Sequence, residues 1–140
     1  MIQAARSGRQ NIAEGCQAGM TSAETEIKLL NVAKASLHEL LLDYEDYLRV
    51  RNLSLWDFNS EKAVKTRQIC GRRNDSAYYR EAVTIRNDET ICNIAITLIH
   101  QADALLRKYI DRLQSDFLQN GGIKEQMYNA RVNYRNTHRP

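Results

Sequence analysis

The sequence has almost no proline: the only one among its 140 residues is the last, Pro140. Proteins rich in β-strands or linkers normally place several prolines in turns and at sheet edges. Proline inside a helix removes a hydrogen bond and clashes with the preceding turn, so long helices avoid it. The missing interior prolines therefore predict an all-α protein.

Long apolar runs are missing as well. No stretch approaches the ~18 consecutive apolar residues that a membrane-spanning helix needs. The composition, 43% hydrophobic and 26% charged, also excludes an intrinsically disordered chain. A length of 140 residues fits one domain, since ~100–200 residues is the usual domain size.

Cysteines are few, and their spacing is uninformative. Cys16, Cys70 and Cys92 are an odd set without a C-x-x-C pair, which supports neither a zinc site nor a disulfide framework. Free thiols are typical of a reducing compartment, so we expect a cytoplasmic protein.

The sequence also lacks the common catalytic signatures. It contains no phosphate-binding glycine loop, no H-E-x-x-H and no G-x-S-x-G. The di-iron sites of four-helix bundles need a glutamate three residues before a histidine, and neither His38 nor His100 has one. His38 with Glu39 and His100 with Asp103 could form acid/base pairs, but local hydrogen bonding on a helix is the favoured interpretation. We therefore expect no enzyme activity, no metal and no cofactor.

Positive charge is concentrated in two segments, although the net charge is only +3. Residues 61–86 carry seven Lys or Arg against three Asp or Glu, and residues 120–140 carry four against one. Arginine binds phosphate through paired hydrogen bonds, and the neighbouring tyrosines can stack on bases. The candidate nucleic-acid-binding residues are Arg67, Arg72, Arg73, Arg80, Arg131 and Arg135. An ordinary charged surface explains the same composition equally well, and that alternative stays open.

Two long amphipathic helices dominate the pattern. The first covers residues 22–51 and begins with a capping box of Thr21 and Glu24. Its apolar face is Ala23, Leu30, Ala33, Leu37, Leu40, Tyr44 and Tyr47. The second begins at Asn87 or Asp88, runs to about Leu118 and ends at Gly121-Gly122. Its predicted face is Ile91, Ala95, Leu98, Ala102, Leu105, Tyr109, Leu113 and Phe117, broadened by Ile94, Ile99 and Leu106.

The remaining segments are shorter. We predict a helix from Ile2 to Glu14 that Gly15 stops, and a loop over Asn52–Ser60 whose Leu55, Trp56 and Phe58 pack against the bundle. A short helix over Glu61–Ile69 and irregular chain over Gly71–Arg86 follow. The last predicted element is a short helix from Ile123 to about Tyr134. Residues 1–119 thus form a helical bundle with a basic connection at about 61–86, and residues 120–140 form a short basic helix or tail.

Three helices with wide apolar faces are one short of a four-helix bundle. The short segments, another chain or a helix upstream of Met1 would fill the fourth position. These three alternatives stay open.

Two motifs are similar to those of a known family. Residues 7–15 match S-x-x-x-N-I-A-E-G through Ser7, Asn11, Glu14 and Gly15, and residues 30–40 match L-x-x-A-x-G-S-x-x-E through Ser36 and Glu39. Ala35 replaces the usual glycine. The chain therefore resembles the four-helix-bundle family of bacterial 23S rRNA intervening-sequence proteins, in particular the subgroup described as "four helix bundle suffix".

This resemblance implies an up-and-down four-helix bundle whose first helix is missing from this chain. The family is similar to the accessory variability protein of diversity-generating retroelements, a basic homopentameric ring that binds nucleic acid and a reverse transcriptase. We interpret the motif residues Ser7, Asn11, Glu14, Gly15, Ser36 and Glu39 as structural, since small and polar groups on thin helix surfaces fix how two helices meet.

The sequence thus favours a non-enzymatic homo-oligomer that associates with nucleic acid, either rRNA or retroelement RNA, through its basic segments. The alternative is a structural module that binds a protein partner and has no nucleic-acid role.

Overall fold

The chain is all-helical in the parts that the computed structural model describes, which are residues 2–18, 23–120 and 122–138. Their six helices are α1 (Ile2–Ala18), α2 (Ala23–Val50), α3 (Glu61–Arg72), α4 (Ser76–Ile85), α5 (Asp88–Asn120) and α6 (Gly122–Thr137). The predicted all-α class is therefore confirmed. None of these helices is long and apolar enough to cross a membrane.

Two of the predicted local structures are wrong. Helix α1 continues through Gly15 to Ala18, because an interior glycine weakens a helix without necessarily ending it. The segment Gly71–Arg86 contains α4, whose N-cap Asp75 accepts a hydrogen bond from the backbone N–H of Tyr78. Thr21 of the predicted capping box and Gly121 of the predicted stop lie outside the described residues.

Helices α2 and α5 pack antiparallel and carry the core. One cluster joins the first half of α2 to the second half of α5, and the other joins their opposite ends. The buried residues are Leu30, Ala33, Leu106 and Ile110 in the first cluster, and Leu48, Cys92 and Ile96 in the second. Helix α1 adds Ile12 to the first cluster, α3 packs on α5, and α6 contacts α2 and α5.

The buried face of α5 agrees only in part with the predicted one. Ile99 and Leu106 are buried, and Tyr109 and Leu113 pack against the first cluster, as expected. Ile96 and Ile110, which the prediction did not include, are buried too, whereas Leu105 is 69% exposed. Helix α5 carries two adjacent apolar stripes, and the periodicity of the sequence cannot decide which of them faces α2.

Helices α1 and α2 approach closely through small side chains. Gly8 is buried, and a Cβ added there would lie 3.5 Å from the Cβ of Ser36 and 3.7 Å from the carbonyl oxygen of Ala33. These are ordinary contact distances, so the crossing has room for a methyl group but not for a larger side chain.

A buried hydrogen bond joins the two long helices. The Tyr109 hydroxyl donates to Oε1 of Glu26 at 2.6 Å, and Glu26 is only 6% exposed. If one partner of a buried polar pair is removed, the other stays buried without a hydrogen bond, and its full desolvation cost lowers the stability of the fold.

The loop between α2 and α3 is folded back onto α5. Asn52 adopts a positive φ of 55°, and the backbone N–H groups of Asn52 and Leu53 donate to the carbonyls of Arg49 and Leu48. This pair of bonds, with Leu53 packed against Leu48, is a Schellman motif. Leu53 and the half-buried Trp56 face the bundle.

Leu55 and Phe58, which we expected against the bundle, are 54% and 68% exposed. Only Trp56 of the three predicted contacts is half-buried, because the hydrogen bonds of the loop hold its neighbourhood against α5.

We expect Tyr109→Phe to lower the free energy of unfolding by about 1–3 kcal/mol, because Glu26 would remain buried without this donor. Denaturant unfolding measures the change. Tyr128→Phe, at an exposed tyrosine, is the matched control, and equal stability of the two variants would contradict the assignment.

We expect Gly8→Ala to be neutral or stabilising by up to about 1 kcal/mol, because alanine favours helix and its methyl group fits. Gly8→Leu should destabilise by about 1–3 kcal/mol because it overfills the crossing. Thermal unfolding measures the stability of both variants. A Gly8→Leu variant as stable as the wild type would contradict the close contact of α1 with α2 at Gly8.

Candidate functional site

Three of the six motif residues, Ser7, Asn11 and Ser36, lie at the α1–α2 crossing. The Ser36 hydroxyl lies 3.3 Å from that of Ser7, and Ser36 also donates to the carbonyl oxygen of Val32. Asn11 donates to the carbonyl oxygen of Ser7 at 2.8 Å. These polar groups are satisfied between or within the two helices, which fits the structural role that we assigned to them.

The two glutamates of the motifs, Glu14 and Glu39, are exposed instead of buried in this crossing. Glu14 is exposed and accepts a hydrogen bond from Gln10 one turn earlier. Glu39 is exposed on α2, and Gly15 lies inside α1. The structure therefore brings together Ser7, Asn11 and Ser36, but not the whole set.

Four of the six candidate arginines lie on α3, α4 and the linker between them. Arg72, Arg73 and Arg80 are exposed, and Arg67 is half-buried. Arg67 stacks over the Phe58 ring at 3.8 Å from its centroid, and its carbonyl oxygen accepts a hydrogen bond from Gln101 of α5. Arg73 lies 5.0 Å from the Tyr78 centroid and 3.8 Å from Asp75.

The remaining two candidates are on a separate helix. Arg131 and Arg135 are exposed on α6, which follows the far end of α5. The tail arginines thus belong to a different helix from the other four candidates.

The sequence did not reveal a cleft between α3, α4 and α5. The cleft has a volume of about 260 Å³. It is lined by three aromatic rings, Trp56, Tyr78 and Tyr79, and by three exposed cations, Lys62, Lys65 and Arg86. Ile69, Cys70, Ala82 and Ile94 complete its apolar surface. The signal available in the sequence was the i,i+3 spacing of the two lysines, which places them on one face of α3.

Two side chains of α5 position Trp56 at this cleft. The buried Asn93 accepts from the Trp56 backbone N–H at 2.9 Å and donates to the Ser54 carbonyl oxygen at 2.9 Å. Glu89 accepts from the Ser54 N–H at 2.8 Å and from the Trp56 indole N–H at 3.2 Å. The Ser54 N–H, then the indole, hold the pKa of Glu89 below its ordinary value.

Tyr79 fixes the linker between α3 and α4. Its hydroxyl donates to the Arg73 carbonyl oxygen at 2.8 Å, and burial, followed by its hydrogen bond with Cys70, raises the pKa of Tyr79 to about 12. The Tyr78 and Tyr79 rings meet edge to face, with centroids 5.2 Å apart and planes at 88°. The hydroxyl thus stays protonated at neutral pH and ties α4 to α3.

The described cysteines are buried. Burial raises the pKa of the Cys70 thiol, and burial together with Asp88 raises that of Cys92. Little thiolate forms at neutral pH, which makes both thiols poor nucleophiles. Among the described residues, no group of three or more His, Cys, Asp or Glu side chains is placed to hold a metal ion.

A separate groove of about 580 Å³ runs between α2 and α5. His38 and His100 both line it, with Leu41 and Ile99. Asp103, which we considered as a partner of His100, accepts a 2.8 Å hydrogen bond from Arg107.

We expect Glu89→Gln to destabilise the protein at neutral pH. The pKa of Glu89 is lowered in the folded state, so the carboxylate stabilises the fold above its ordinary pKa of 4.5. This contribution is lost as the pH falls through the lower, folded-state pKa. The difference between wild type and variant should therefore shrink in acid.

Urea unfolding at several pH values measures this difference. Glu39→Gln, at an exposed glutamate in the middle of α2, controls for loss of one charge. If the difference in free energy of unfolding between wild type and Glu89→Gln stays constant down to strongly acidic pH, the stabilising role of the Glu89 carboxylate is contradicted.

Comparisons of the chain with protein-family profiles, with curated proteins and with solved structures found no match. The resemblance to the 23S rRNA intervening-sequence proteins thus rests on the two sequence motifs alone.

Proposed function

We propose that the protein is a non-enzymatic, homo-oligomeric helical protein that binds nucleic acid through the basic surface of α3 and α4. The observation that supports this most is the crowding of seven cations on residues 61–86: Lys62, Lys65, Arg67, Arg72, Arg73, Arg80 and Arg86. Of these, only Arg73 is within ion-pair distance of a carboxylate in the described part of the chain, at 3.8 Å from Asp75. The cations are thus available for phosphates.

The aromatic rings of the same segment strengthen the proposal. Arg67 and Arg73 lie over Phe58 and Tyr78, and Lys62 lies 5.6 Å from the Trp56 centroid. Cations interleaved with aromatic rings are typical of surfaces that contact both the phosphates and the bases of nucleic acids. Helix α6 adds a smaller surface of the same kind, with exposed Tyr128, Arg131 and Arg135.

Self-association would multiply these surfaces. Several copies in one particle raise the effective concentration of each basic patch and increase its avidity for a polyanion. By its resemblance to the retroelement accessory protein, the assembly would be a pentamer, its nucleic acid would be rRNA or retroelement RNA, and a reverse transcriptase would be a further partner.

The second candidate function is a module that binds a protein. The groove between α2 and α5 favours it, because Leu41 and Ile99 give this groove an apolar lining. This candidate predicts an intact assembly without affinity for RNA or DNA.

We expect binding of RNA and DNA to weaken steeply with salt, since neutralised phosphates release counterions. Replacing Arg72, Arg73, Arg131 and Arg135 by alanine should weaken binding and flatten the plot of log affinity against log salt by about 0.7 for each lost contact to a single strand. Fluorescence anisotropy with labelled oligonucleotides measures both effects.

A charge-matched variant is the control. It replaces four exposed cations elsewhere, Arg6, Arg9, Lys28 and Lys108, by alanine. Equal loss of affinity in both variants would contradict the assigned surface. No binding at about 50 mM salt by the intact oligomer would contradict nucleic-acid binding altogether and favour the protein-binding module.

A further inference from the structure

The cleft between α3, α4 and α5 offers flat apolar surfaces. Trp56 comes from the anchored loop, and Tyr78 and Tyr79 come from the first turn of α4. Ile69 and Ala82 lie below them. Aromatic rings in a cleft stack on any planar heterocycle, because every base has a π-face.

The rim of the cleft is cationic on two sides. Lys62 and Lys65 are one turn apart on α3, and Arg86 is the C-cap of α4. A planar group in the cleft would thus have positive charge on both flanks. A base within a strand has that form, since a phosphate leaves the sugar on either side.

The neighbouring carboxylates are already engaged. Glu89 accepts from two N–H groups of the loop, and Asp75 accepts from the Tyr78 N–H and lies near Arg73. After the Ser54 N–H and the Trp56 indole, the positive charge of Lys62 also contributes to the lowered pKa of Glu89, but neither the rim lysines nor Arg86 belongs to the described ion pairs.

The size of the cleft selects what can enter. Its volume of about 260 Å³ is slightly below the ~300–1,000 Å³ of sites for drug-sized ligands. It has room for one base, whereas both faces of a base inside a duplex are covered by its stacked neighbours. A base in a duplex would have to be unstacked and turned outward first, which costs free energy.

We infer that this cleft binds one unpaired base of a single-stranded nucleic acid, stacked among Trp56, Tyr78 and Tyr79, with the flanking phosphates held by Lys62, Lys65 and Arg86. The inference rests on the proposed function and names its substrate class, single strands in preference to duplexes. Phosphate binding by the wider basic surface does not require it.

Trp56 is the only tryptophan of the chain, so its fluorescence reports directly on the cleft. Titration with a short single-stranded RNA should quench Trp56, and the affinity should exceed that for a hairpin duplex about tenfold. Inorganic polyphosphate, which carries phosphates without bases, should bind the basic surface without this quenching. A free nucleoside monophosphate, which has one phosphate, should quench only at much higher concentration.

Two substitutions test the stacking. Tyr78→Ala should reduce affinity for the single strand about tenfold and leave duplex affinity unchanged, and Tyr78→Phe should restore binding because the ring remains. Leu55→Ala removes an exposed apolar side chain of the same loop that does not line this cleft, and it should leave the preference for single strands intact.

The outcomes separate this inference from the proposed function. Equal affinity for single strand and duplex, or equal quenching by polyphosphate, would overturn the base-binding cleft while salt-dependent binding still supported the proposed function. If the nucleoside monophosphate bound as tightly as the single-stranded RNA, the inference that the cleft binds a base within a strand would be overturned. Absence of any binding by the wild-type protein would overturn both.

Discussion

The antiparallel packing of α2 against α5 is the constraint on which the other parts depend. It buries Leu30 and Leu48 of α2 almost completely against opposite ends of α5. One side of α5 is thereby committed to the core, and the side turned toward α3 carries Gln101 and part of the cleft. The chain must return from the end of α2 to this side, and the Schellman motif at Asn52 makes that reversal.

Much of the fold could be predicted from the sequence, because α2 and α5 repeat their apolar residues over 28 and 33 residues. Such long patterns leave little ambiguity about the type of element. Helix α4 could not be recognised as readily: it has 10 residues and a single buried one, Ala82. The centre of the buried face of α5 could not be predicted either, because the predicted apolar face was broad and the sequence does not show which part of it meets α2.

The candidate site was only partly predictable. The sequence identified the two basic segments and placed Arg131 and Arg135 in a C-terminal helix or tail, but it did not reveal the cleft. The cleft combines residues from a loop and three helices, and its position depends on Asn93, a buried polar residue that satisfies both backbone groups of the loop beside Trp56. A single such residue carries no periodic signal, so only the folded chain reveals its role.

The shallow attachment of α4 has a consequence for motion. Val83 and Ile85 are 58% and 67% exposed, and a helix with few buried contacts opens locally at a low free-energy cost. Its backbone amides should thus exchange with solvent faster than those of α2 and α5. One wall of the cleft is therefore a helix with a single buried residue, and another wall is α5, which carries the core.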